Sequence, residues 1–180
     1  MRVAAFSTAD PGSPEDVNGL RRSLIAGILM GIGVAGFVDE TVFHQILHWH
    51  HFYNLSTPNW GLISDGLFHA FSWFSIIGGF FIFADLRRRA AWRRTWHLSG
   101  FLFGLGGFQL WDGTIQHKWW HLHEIRYHVN IVPYDLVWNG IAVIVLIGAV
   151  VCLLRARREA DPTAHEAPAP PSGVQLADRR

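Results

Sequence analysis

Asp39, His44, His48 and His50 form a D-x4-H-x3-H-x-H pattern that recurs in the same spacing as Asp112, His117, His121 and His123. Each residue of the second set lies 73 positions after its counterpart, and Gly27, Gly31 and Gly33 keep that register with Gly100, Gly104 and Gly106. One acid and three histidines repeated without a gap mark an internal duplication. Histidines four apart share a helix face, so His44 with His48, and His117 with His121, each present two imidazoles to one ion. The next apolar segment adds Asp65 and His69, again four apart. The spacing therefore points to a transition-metal site with His44, His48, His69, His117 and His121 as ligands. His51, Asp65 and Glu124 are candidates for further ligands or for groups that orient them. Asp39 and Asp112 lie about 140° around an α-helix from His44 and His117, which suits orienting or proton-relay groups. His50, His123 and His128 rank behind these, because the spans place them at or beyond the outer water interface.

The donors available are imidazole and carboxylate. There is one cysteine, Cys152, and there are two methionines, so no intrachain disulfide, cysteine zinc site or methionine copper relay can form. Copper, iron, zinc and manganese all suit the set, singly or as a dinuclear pair. Haem held by a histidine from each of two helices is a poorer match for four paired histidines in two layers. A formal net charge of +1 gives no field for nucleic acid, which is not expected as a partner.

The elements that position these residues read as membrane spans. Hydrophobic residues make up 50% of the chain and charged ones 16%, against about 25% charged in ordinary soluble domains. Leu136–Leu154 contains no charge, and a bilayer core needs roughly 20 such residues in a helix. Four spans are expected, at about 23–52, 60–86, 97–121 and 134–155. The fold class is then all-α: a polytopic four-helix membrane bundle over residues 21–158, made of a duplicated two-helix hairpin. In the return helices Asp65-Gly66 meets Asn139-Gly140. The segments 1–20 and 159–180 are polar or Pro/Ala-rich and read as disordered tails, with His165 idle in the second. The repeated glycines, Gly27, Gly31 and Gly33 with Gly100, Gly104 and Gly106, read as close-packing positions between helices.

Thirteen of the fifteen basic residues fall before span one, between spans two and three, or after span four. The positive-inside rule puts that face and both termini in the cytoplasm. The chain is then a multi-pass protein of the cytoplasmic (inner) membrane, with the histidines in the outer half of the bundle.

GIGVAGFVDETVFHQILHWHH (Gly31–His51), DGLFHAFSW (Asp65–Trp73) and the second D-x4-H-x3-H unit resemble an uncharacterised bacterial family of small four-span membrane proteins, a domain of unknown function. The resemblance covers about residues 20–155. It implies copper or iron handling tied to respiratory metalloenzymes, with respiratory-complex or assembly partners beside the lipid bilayer, and it leaves a homo-oligomer open. It supplies no reaction and no site residues. The HX3H pairs are also similar to the boxes of membrane di-iron desaturases and hydroxylases. However, His48-Trp49-His50-His51 is one residue short of an HXXHH box, and the expected orientation is opposite. That similarity implies the alternative reading, a metal-dependent oxidoreductase or oxygenase acting on a lipid, quinone or small apolar substrate.

Overall fold

The computed structural model describes residues 13–160. Within them run four long helices and no strand: α1 (Pro14–Asp39), α2 (Pro58–Arg88), α3 (Arg94–Trp111) and α4 (Val132–Glu159). α1 and α3 are each prolonged by a π-helical segment, Glu40–Ile46 and Asp112–Trp119. α1 starts where Ser13 Oγ accepts a hydrogen bond from the Asp16 amide at 3.2 Å. Pro14 sits in its first turn with Glu15 and Asp16, the usual chemistry of a helix N-terminus. The first helix thus begins inside the segment expected to be a tail. Residues 1–12 and 161–180, including His165, lie outside the described residues.

The first and third spans also end earlier than the apolar pattern suggests. In both, the backbone changes to an i→i+5 ladder, closed by Leu47 N–H to Val42 O at 2.9 Å and by Trp120 N–H to Ile115 O at 2.7 Å. His48 and His121 then each adopt a φ of 50°, a left-handed conformation that stops a helix. Beyond them the chain runs as irregular loops, 47–57 and 120–131.

α1 and α3 form the central pair, α2 lies against α1, and α4 lies against α3. Glycines set the central approach. A Cβ at Gly27 would fall 2.1 Å from His97 O, one at Gly31 2.1 Å from Phe101 O, and one at Gly100 2.1 Å from Leu24 O. Gly104 repeats the pattern against Ile28 O at 2.2 Å. Gly33 fits against Ser72 O on α2, and Gly106 against Ala142 O on α4. All six glycines sit where helix backbones touch.

Among the described residues three helices are long and apolar enough to cross a bilayer: Pro14–Ile46, Pro58–Arg88 and Val132–Glu159. α3 is shorter and glycine-rich, packed between α1 and α4 rather than facing outward on all sides. Phe74, Phe81, Leu136 and Ile144 are each about 70% exposed (73%, 69%, 69% and 69%), a surface suited to lipid and not to water. At one end of the bundle the helices are tied by ion pairs, Arg22–Asp85 at 2.7 Å and Arg93–Asp16 at 2.6 Å. Among the described residues, the histidines other than His97 gather near the opposite end.

Candidate metal centre

The π-helical segments decide which residues meet. On an α-helix Asp39 and His44 diverge, but an i→i+5 ladder brings residues five apart nearly over one another. Asp39 Oδ2 consequently lies 3.7 Å from His44 Nε2, and Asp112 Oδ2 lies 3.2 Å from His117 Nε2. The left-handed turn at His48 then folds the chain back, so that His50 re-enters the bundle; His121 does the same for His123. Donor atoms of Asp39, His44 and His50 all fall within 4.8 Å of one another, as do those of Asp112, His117 and His123.

These two triads are adjacent and correspond residue for residue at the 73-position separation. The ring centroids of His44 and His50 are 4.5 Å apart, and those of His117 and His123 4.7 Å. Across the pair, His44 to His123 and His50 to His117 are both 6.2 Å. The loops cross over to fix the inner rings. His50 Nδ1 donates to Ile125 O and His123 Nδ1 to Phe52 O, both at 2.9 Å. A proton held on Nδ1 leaves the Nε2 lone pair free to bind a metal.

All four rings are buried, with exposures of 1% for His44, 5% for His50, 2% for His117 and 1% for His123. Yet Nε2 of each, with Nδ1 of His117 and Oδ2 of Asp112, has no hydrogen-bond partner. Buried polar atoms are nearly always paired, and leaving one unpaired costs about 1–3 kcal/mol. So many converging on one place is the expected geometry of a ligand cage. Four imidazoles and two carboxylates match a first-row transition ion and not magnesium or calcium.

The two halves differ in what surrounds the outer histidines. His44 Nδ1 hydrogen-bonds Asp65 Oδ1 at 3.0 Å and lies 2.9 Å from Glu40 Oε2. Asp65 also holds His51 Nδ1 at 2.6 Å and the Phe52 amide at 2.8 Å, tying the 47–57 loop to α2. Glu40, His44 and Asp65 form a third group of converging donors. In the second half, Gly113 stands where Glu40 does and Asn139 where Asp65 does. Three carboxylates therefore serve the first half and Asp112 alone serves the second, where Gln116 donates to Asp112 Oδ1 at 2.8 Å.

The structure brings together His44, His117, Asp39, Asp112 and Asp65 of the residues singled out by spacing. His51 touches the cluster through Asp65. His48 and His121 do not belong: both are exposed at the helix-ending turns, because an α-helical i+4 relationship does not survive the π-helical segment. His69 stands apart on α2, half-buried, accepting from Trp73 Nε1 at 3.1 Å and packing on Phe37. α2 contributes Asp65 in its place. Glu124 is exposed in the 120–131 loop and its amide donates to Tyr127 Oη. His50 and His123, ranked low from their distance beyond the spans, are central, and Glu40 and Gln116 carried no spacing signal. The repeat itself could have found the two histidines, since D-x4-H-x5-H keeps register in both copies.

No curated protein and no solved structure matches this chain. A family model described as predicted membrane protein DUF2243, a domain of unknown function, matches residues 26–156, which takes in α2, α3, both π-helical segments, the later part of α1, most of α4 and every residue of the cluster. The chain belongs to that family of membrane proteins.

Proposed function

We propose that the protein is an integral membrane metal-binding protein whose ion or ion pair sits among His44, His50, His117 and His123 with Asp39 and Asp112. The observation that supports this reading is the convergence of four buried imidazoles whose Nε2 atoms have no partner. Oxygen and nitrogen donors alone suit copper(II), iron or zinc, and one or two ions fit two adjacent triads. Asp65 orients His44 as a carboxylate orients a metal-bound imidazole, raising its basicity. Copper or iron handling for respiratory metalloenzymes belongs to this reading, supported by the family resemblance. The basic end of the bundle lies in the cytoplasm by the positive-inside rule, so the cluster lies toward the outer face.

Elemental analysis of protein purified without a polyhistidine tag tests the reading. About one or two transition ions per chain are expected, since each triad offers three donors and such ions take four or more. Folded, gently isolated protein with less than about 0.2 ion per chain would exclude it, because a preformed buried cage of this kind binds tightly.

A further inference from the structure

A cavity of about 720 Å³ opens between α2 and α3, with α1 as its floor. α2 and α3 do not pack on one another, so its mouth faces the surroundings of the bundle. Leu67 and Phe71 line one wall and Phe103 and Gly107 the other. Phe68 closes the inner end, stacked at 4.7 Å on Phe52 and at 5.7 Å on Phe108. Directly behind this aromatic layer are His44, 5.9 Å from Phe68, and His123, 6.2 Å from Phe52. Ser64 supplies the one hydroxyl of the lining, and it is already engaged. It donates to Gly61 O at 2.6 Å and accepts from the Tyr53 amide at 3.0 Å.

On the opposite side, among α1, α3 and α4, lies a cavity of about 130 Å³. Trp138 lines it, at the position that matches Ser64 in the register pairing Asn139-Gly140 with Asp65-Gly66. Its indole is pinned: Trp138 Nε1 donates to Gln109 O at 3.0 Å, and Gln109 Nε2 donates to Trp138 O at 2.8 Å. Val34 matches Gly107, where an added Cβ would meet nothing within 4 Å. Trp138 thus lines the smaller cavity where the larger has serine, and valine holds the register position of Gly107. Glycine inside a helix is unfavourable relative to alanine, so the opening is maintained against local helix stability.

We infer that the open groove is a binding site for one acyl chain of a bilayer phospholipid, seated against the Phe52–Phe68–Phe108 layer. Apart from the engaged Ser64 hydroxyl and the indole N–H of Trp111, the lining side chains are apolar, and hydrocarbon is the medium at its mouth. Branched and aromatic walls provide dispersion contact along a chain. The volume lies in the range of about 300–1,000 Å³ that holds a small ligand. The site stands whether or not the histidines hold an ion.

Ser64→Trp and Gly107→Val give the open groove the residues at the matching register positions of the other half. Wild type and both variants, exchanged into lipid-free detergent, are compared by native mass spectrometry, with metal content measured in parallel. Wild type should keep about one phospholipid per chain. Both variants should lose it by about tenfold or more, since the buried methylene contacts are gone, and should stay monodisperse with unchanged metal. Wild type without retained phospholipid, or variants that retain as much as wild type, would overturn the inference. So would an isoprenoid quinone or a second protein chain found in place of the phospholipid. If Ser64→Trp misfolds, Gly107→Val still decides, because nothing lies within 4 Å of the atoms it begins to add.

Discussion

His50 and His123 stack face to face, with ring centroids 4.6 Å apart and planes 5° from parallel. Each is anchored by a carbonyl of the other half, Ile125 O for His50 and Phe52 O for His123. Each ring thus has its Nδ1 on a carbonyl and its Nε2 left without a partner among the buried donors. His50→Ala and His123→Ala should each weaken metal affinity by more than the roughly 10–100-fold typical of losing an orienting group. The double variant should be little worse than either single, because residues of one site do not act additively. Chelator competition measures this. His48→Ala and His121→Ala serve as the comparison and should bind like wild type.

Asp65 tests the asymmetry of the two halves. Asp65→Asn keeps the acceptor for the Phe52 amide but removes the charge that orients His44. Metal affinity should fall about 10–100-fold while the fold survives. A chelator titration showing no change would place the functional weight of the first half on Glu40 instead.

The central helix crossing leaves no room for a side chain. Gly27→Ala would put a methyl 2.1 Å from His97 O, and separating the two backbones should cost about 1–3 kcal/mol, as overpacking commonly does. Gly78→Ala, on an open face of α2 where nothing lies within 4 Å, should be neutral or stabilising by up to about 1 kcal/mol. Thermal unfolding in detergent separates the two.

Topology is checked by reporter fusions. Fusions at Arg89 and Arg158 should report from the cytoplasm and one at Asn54 from outside. An external signal at Arg89 would reverse the orientation and place the cluster toward the cytoplasm.

Hydropathy and spacing revealed the bundle and its glycine contacts, and they singled out His44, His117, Asp39, Asp112 and Asp65, which the fold places in one cluster. Which donors converge was harder to see. An α-helical projection sets Asp39 about 140° from His44 and favours His48. The π-helical ladder brings Asp39 to His44, and the left-handed turn at His48 sends His50 inward. Neither departure is written in hydrophobic periodicity. His69 shows the same limit from another side. It is correctly four residues from Asp65, but the rotation of α2 buries Asp65 and leaves His69 beside Phe37 and Trp73.

X-ray absorption at the metal edge of the untagged, as-isolated protein bears most directly on the histidine cluster. Its four imidazoles and two carboxylates predict a shell of nitrogen and oxygen at about 2.0–2.2 Å for zinc-like ions, with strong multiple scattering from several imidazoles and no sulfur. That scattering should weaken in His50→Ala. An oxygen-only shell, a sulfur contribution, or a spectrum identical in wild type and His50→Ala would contradict the assignment of the ion to these histidines.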